Sequence, residues 1–96
     1  MQDDEFSWFD PKAAANPLKH KGVTFQQARA VFRDPFANDI LDERENYGEE
    51  RWNITGLDAN GNVLVVTYTM RGPLKHIISG PKAEPDERSE YFEGRI

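Results

Sequence analysis

The stretch RWNITGLDANGNVLVVTYTMRGPLKHIIS, residues 51–79, decides the fold. It contains three runs that are rich in β-branched and aromatic residues, namely RWNITGL (51–57), NVLVVTYTM (62–70) and LKHIIS (74–79). An Asn-Gly pair at 60–61 separates the first two runs, and Arg-Gly-Pro at 71–73 separates the last two, so tight turns are favoured at both places. This pattern predicts an antiparallel meander. Its middle run is nearly continuous in apolar residues, which predicts a central strand covered on both faces.

The residues before the meander predict one short strand and two helices. The segment FSWF at 6–9 is typical of a strand, and Pro11 directly after it favours a helix start. Pro17 removes a backbone donor, so this first helix is predicted to kink or to end early. Thr24 is followed three residues later by Gln27, which matches a capping box and predicts the start of a second helix.

The remaining segments complete the predicted fold. The stretch FANDILDERENYGEE at 36–50 is mostly charged and predicts a long loop, with a short strand at 38–41. Pro85, followed by acidic residues, predicts the start of a C-terminal helix. We therefore expect an α+β fold in which an antiparallel sheet of three to four strands packs with two N-terminal helices and one C-terminal helix.

Composition limits the classes of function. With 96 residues, the chain is predicted to form a single domain over 1–96. The net charge of -5 at pH 7 argues against a general nucleic-acid coat and against a DNA-bound regulator acting alone. Because cysteine is absent, disulfides and thiolate metal sites are excluded, and we expect a reducing, cytoplasmic location with no metal or other cofactor. The longest apolar run, VLVV, is too short to cross a membrane, so no membrane association is expected.

Several motifs together resemble one known family. They are, in chain order, FSW, DPKAAAN, KHKGVTFQQARAVFRDP, GEERWNITG, GNVLVVTYTMRG, IIS and ERSEYFEG. Their order and spacing, from Phe6 to Gly94, are similar to those of the BrnT toxins of bacterial toxin–antitoxin pairs. The resemblance implies a RelE-like fold and a metal-independent endoribonuclease that inhibits translation and arrests growth. It also implies a BrnA-like antitoxin with a ribbon-helix-helix domain as the partner, with DNA contacted only through that antitoxin.

Three positions and the composition of the C-terminal helix depart from the family pattern. The family commonly has two arginines that frame the isoleucines of IIS, whereas this chain has His76 and Pro81 there. The C-terminal helix, commonly rich in arginine, contains only Arg88, and Lys21 is an extra residue compared with the common KHGVSF. These departures leave open an alternative function, that of a catalytically weakened module which acts only by binding an antitoxin or another protein.

RNA cleavage without a metal ion defines the candidate site residues. The enzyme must remove the proton of the 2′-hydroxyl, stabilise extra negative charge on the phosphate and protonate the departing 5′-oxygen. Histidine, arginine and tyrosine suit the proton and charge steps, and lysine suits phosphate binding. We therefore predict as catalytic residues His20, Arg71, His76, Arg88 and Tyr91, and as RNA phosphate-binding residues Lys19, Lys21, Lys75 and Lys82. They are expected to converge on one cationic cleft.

Each candidate also has a purely structural interpretation. His20 could cap the first helix, and His76, which alternates with Lys75 along its strand, could be a packed and hydrogen-bonded core histidine. Arg71 could be a solvated turn residue, and Tyr91 could dock the last helix onto the sheet. The acidic run DERENYGEE is either a solvated loop or a surface that faces basic residues of the antitoxin.

Overall fold

The computed structural model describes residues 1–44 and 48–94 of the chain. Its elements in chain order are β1 (Phe6–Trp8), α1 (Asp10–Lys19), α2 (Phe25–Ala28), a 3-10 segment (Arg29–Arg33), β2 (Asn38–Asp42), β3 (Arg51–Leu57), β4 (Val63–Arg71), β5 (Leu74–Ser79) and α3 (Pro85–Glu93). The predicted α+β class is confirmed. Within the described ranges, no helix is long and apolar enough to cross a membrane.

The sheet has five strands in the order β1-β5-β4-β3-β2. The meander of β3, β4 and β5 and the central place of β4 are as predicted. The prediction of a wholly antiparallel sheet of three to four strands is wrong, because β2 extends the meander and β1 pairs with β5 in parallel. That parallel pairing joins Ser7 to His76, and a strand of three residues contains no local signal for so distant a partner.

The hydrophobic core lies on one face of this sheet. In β4, Leu64 and Val66 are fully buried, whereas Val65 and Thr67, which point to the opposite face, are only half-buried. The strand was predicted to be covered on both faces, but at these positions only the core face is fully covered. The core residues are Phe6, Trp8, Val23, Phe25, Ala28, Val31, Ile54, Leu64, Val66, Tyr68 and Ile77. Burial of a side chain such as Phe25 stabilises the fold by roughly 1.5–3 kcal/mol.

The second helix begins as predicted and then tightens. The backbone N–H of Gln27 donates to the Thr24 hydroxyl at 3.1 Å, and the Thr24 N–H donates to the Gln27 amide oxygen at 3.1 Å. Only four residues are α-helical before the chain continues as the 3-10 segment. That segment packs against Gly56 of β3, where a Cβ would lie 3.2 Å from Val31 and 3.0 Å from the Asp34 carboxylate. These contacts are tighter than ordinary van der Waals contact, so glycine suits this close approach.

Asn16 links the end of α1 to the end of β5. Pro17 lies inside the helix, which continues to Lys19, so the proline does not itself end α1. The buried Asn16 side chain donates to the carbonyls of Val23 at 2.9 Å and Gly80 at 3.2 Å, and it accepts from the Gly80 N–H at 3.2 Å. Because these backbone groups are buried, the amide satisfies donors and acceptors that would otherwise lose hydrogen bonds. The turn after α1 is thereby fixed against the sheet.

Candidate active site

A cavity opens at the edge of the sheet where β4 ends and β5 and β1 begin. Its volume is about 660 Å³, and its walls include Ser7 from β1, Arg71 from the end of β4 and His76 from β5. The register explains this arrangement, because the antiparallel pairing sets Arg71 opposite Leu74 and the parallel pairing sets Ser7 opposite His76. We call this cavity, with Ser7, Arg71 and His76, the histidine cavity.

The imidazole of His76 is oriented by a hydrogen bond. Its Nδ1 lies 2.8 Å from the Ser7 hydroxyl oxygen, across 69 residues of sequence. Burial lowers the pKa of His76, and the charge of Arg71 and the amino group of Met1 lower it further, while Glu49 acts in the opposite direction. A histidine with a lowered pKa is neutral at pH 7, which is the form that can accept a proton.

The cation next to this imidazole is already close to a carboxylate. The Arg71 side chain is 55% exposed, and its Nη2 lies 3.8 Å from Glu49 Oε1. The same oxygen lies 3.7 Å from Nη2 of Arg51. Neither Glu49 nor Arg51 was predicted from the sequence, since both belong to or follow an acidic run. The predicted antiparallel hairpin places the start of β3 beside the end of β4, and this pairing is the signal that could have placed Glu49 and Arg51 near Arg71.

The residues Lys19, His20 and Lys21 form a separate region, which we call the lysine turn. Lys19 ends α1, and His20 is the C-cap residue, whose N–H donates to the Asn16 carbonyl at 2.8 Å. Lys21 has a φ of 54°, in the left-handed region that favours glycine. His20 thus caps the first helix, as its structural interpretation proposed. None of the three residues of the lysine turn lines the histidine cavity.

Two further candidates line a groove between α3 and the second face of the sheet. This groove has a volume of about 710 Å³ and includes Lys82 and Tyr91. Tyr91 is buried, and its hydroxyl donates to Asp34, which also accepts from the Leu57 N–H at 2.9 Å. This arrangement matches the docking role considered for Tyr91, since it connects α3 to β3 through one carboxylate.

Arg88 and Lys75 contact aromatic rings. The Arg88 guanidinium lies over the Phe92 ring at 5.3 Å from its centre. Lys75 Nζ lies 3.5 Å from a Glu5 carboxylate oxygen and 5.6 Å from the centre of the Phe6 ring. Because Phe6 belongs to the core, Lys75 points to the face opposite His76. Of the nine predicted site residues, Arg71 and His76 are the two that line the histidine cavity.

The histidine cavity combines two chemical capacities. A neutral imidazole can take up a proton, and a guanidinium can bind a phosphate through paired N–H groups. Within residues 1–44 and 48–94, no three histidine, aspartate or glutamate side chains gather into a group that could bind a metal ion.

Comparison with known proteins connects this chain to one family. Residues 8–87 match the sequence profile of the family described as "Ribonuclease toxin, BrnT, of type II toxin-antitoxin system". The matched range covers most of the chain and contains Glu49, Arg71 and His76, whereas Ser7 lies just before it. No match was found among curated proteins.

Proposed function

Because this chain belongs to the BrnT family of ribonuclease toxins from type II toxin–antitoxin systems, we propose that it cleaves RNA in the histidine cavity without a metal ion. The observation that supports this proposal most is the presence of Arg71 and His76 in one cavity. A phosphate bound by the guanidinium would lie beside an imidazole whose lowered pKa suits it to act as a base.

His76 is the general base of the proposed reaction. In the tautomer that has its proton on Nδ1, the ring donates to the Ser7 hydroxyl oxygen and leaves Nε2 as the acceptor. Nε2 removes the proton of the 2′-hydroxyl, and the 2′-oxygen then attacks the adjacent phosphorus. Ser7 is a positioning residue, because its hydroxyl orients the ring through the hydrogen bond at Nδ1.

Arg71 stabilises the negative charge that develops on the phosphate during this attack. As the bond between phosphorus and the 2′-oxygen forms, the bond to the 5′-oxygen breaks, and the products are a 2′,3′-cyclic phosphate and a 5′-hydroxyl. The departing 5′-oxygen takes its proton from water, to which the exposed Arg71 side of the cavity is open. A planar guanidinium suits this role because it can donate two parallel hydrogen bonds to phosphate oxygens.

The partner of the proposed enzyme is a cognate antitoxin. The family description names a type II system, in which a protein antitoxin neutralises the toxin. We propose an antitoxin with a ribbon-helix-helix domain, through which the complex would contact DNA. The net charge of -5 supports this indirect contact, because an acidic chain repels the DNA backbone.

The test is RNA cleavage by the purified protein in EDTA. We expect the wild type to cleave a mixed RNA substrate, and we expect Arg71→Gln to lower kcat/KM by about 10- to 100-fold through loss of a charged hydrogen bond. Arg33→Gln is the matched control, since Arg33 is also an exposed arginine paired with a glutamate. Absence of cleavage by the wild type, or equal activity of the two variants, would contradict the proposal.

One observation favours the second candidate function, a toxin-fold module that only binds an antitoxin or another protein. Glu49 lies near Arg71 and offsets its charge, which reduces the attraction for phosphate. Expression without the antitoxin distinguishes the two functions. Growth arrest that Arg71→Gln relieves supports the ribonuclease, whereas unimpaired growth with normal antitoxin binding supports the binding module.

A further inference from the structure

One carboxylate oxygen of Glu49 lies between two guanidinium groups. Glu49 Oε1 is 3.7 Å from Nη2 of Arg51 and 3.8 Å from Nη2 of Arg71. Arg51 and Arg71 come from neighbouring strands, so the sheet fixes the separation of their backbones. An anionic oxygen placed between two arginines is the arrangement that also suits a phosphate group.

We propose that Arg51 and Arg71 form a phosphodiester-binding subsite for RNA and that Glu49 occupies the place of a phosphate oxygen until the substrate displaces it. The inference rests on the proposed ribonuclease function and adds two residues to it. Arg51 becomes a second phosphate-binding residue, and Glu49 becomes an internal competitor that weakens RNA binding.

The geometry favours displacement. Both distances exceed the roughly 2.7–2.9 Å of a charge-assisted hydrogen bond, so the carboxylate is a weak occupant of the position. The Glu49 side chain is 32% exposed, and water can therefore replace its contacts when it leaves. A phosphodiester has two non-bridging oxygens, so each guanidinium group can bind a different oxygen. In Glu49, by contrast, one carboxylate oxygen lies near both guanidinium groups, at 3.7 and 3.8 Å.

RNA affinity tests this inference separately from cleavage. The probe is a 2′-O-methyl RNA oligonucleotide, which lacks the nucleophilic hydroxyl and cannot be cut. We expect Glu49→Gln to lower its Kd by about three- to tenfold, because the competing charge is removed. Glu50→Gln is the matched control, since it removes the same charge from the adjacent residue, and it should change Kd by less than about twofold. An unchanged or higher Kd for Glu49→Gln would overturn the inference, even if the wild type cleaves RNA.

The salt dependence of the same binding tests Arg51. Loss of one phosphate contact reduces the slope of log K against log salt by about 0.7 for single-stranded nucleic acid. We expect this reduction for Arg51→Gln and no reduction for Arg33→Gln, which removes an equal charge elsewhere. Arg51→Lys covers the case in which the glutamine variant does not fold, because it should retain the slope and raise Kd through loss of the planar fork. Equal slopes for the wild type and Arg51→Gln, or an Arg51→Lys variant that binds as tightly as the wild type, would overturn the assignment.

Discussion

The histidine cavity and the lysine turn each combine a histidine with cationic side chains, yet they differ in what positions them. In the cavity, Ser7 and Arg71 reach His76 from other strands, and the imidazole is partly removed from water. In the turn, the three residues are consecutive, and His20 donates a hydrogen bond to Asn16 through its backbone N–H. The first region depends on tertiary structure and the second on the end of one helix.

This difference indicates that basic residues adjacent in sequence need not form a site together, whereas residues distant in sequence can. Basic residues at the end of a helix interact favourably with the helix dipole, which gives a local reason for the lysine turn. The carbonyls of Asn16 and Pro17 near the end of α1 accept from the backbone N–H groups of His20 and Gly22. A histidine with a distant hydroxyl and a distant arginine has no such local explanation. We therefore place the proposed chemistry at His76, while catalysis by His20 and phosphate binding by Lys19 and Lys21 stay predictions.

The largest expected effect compares the two histidines directly. His76→Gln should lower kcat for RNA cleavage by about 10²- to 10⁴-fold, because it removes the general base while glutamine can still bond to Ser7. His20→Gln is the matched control and should change kcat by less than about threefold, because the backbone cap remains. A larger loss of kcat in His20→Gln than in His76→Gln would contradict the assignment of the general base to His76.

The next effect separates stability from chemistry. Asn16→Ala should lower the free energy of unfolding by about 2–3 kcal/mol, since it leaves buried backbone groups of Val23 and Gly80 without their partner. Urea unfolding measures this loss, and Gln26→Ala, at an exposed helical position, should stay within about 0.5 kcal/mol of the wild type. The folded Asn16→Ala protein should retain its kcat. A large fall in kcat would show that the lysine turn and the histidine cavity are coupled.

The smallest effect concerns the backbone of the lysine turn. Lys21→Gly should raise the free energy of unfolding by about 0.5–1 kcal/mol, because glycine adopts the positive φ of this position without steric cost. Lys19→Gly is the opposite control and should destabilise by about 1 kcal/mol, since Lys19 is helical. Thermal unfolding of both variants measures the pair. Two changes of the same sign would contradict this account of the turn.

Local patterns predicted much of the fold. The Asn-Gly turn at 60–61 and the runs of β-branched and aromatic residues around it indicated the meander, and Thr24 with Gln27 indicated the start of α2. The parallel pairing of β1 with β5 was missed because it depends on contacts between the two ends of the chain. The 3-10 segment was also missed, since its tightening follows from close packing on Gly56 and not from local propensity.

The site was predictable only in part, for a similar reason. Arg71 and His76 were named as candidates, and the sheet does bring them to one cavity. Ser7 was not named, because its link to His76 spans 69 residues. Glu49 belonged to a run interpreted as a solvated loop, and its position between two arginines depends on the register of β3 and β4. Residues 45–47 of that run lie outside the described part of the chain.

The most direct test of the central claim is the pH dependence of kcat/KM for RNA cleavage. His76 is active when neutral, so activity should rise with pH through the pKa of His76 and be complete above it. Because burial and Arg71 lower that pKa, the midpoint of the rise should lie below the ordinary histidine value. The rise should vanish in the residual activity of His76→Gln and persist in His20→Gln. A rise that persists in His76→Gln and vanishes in His20→Gln would contradict the account.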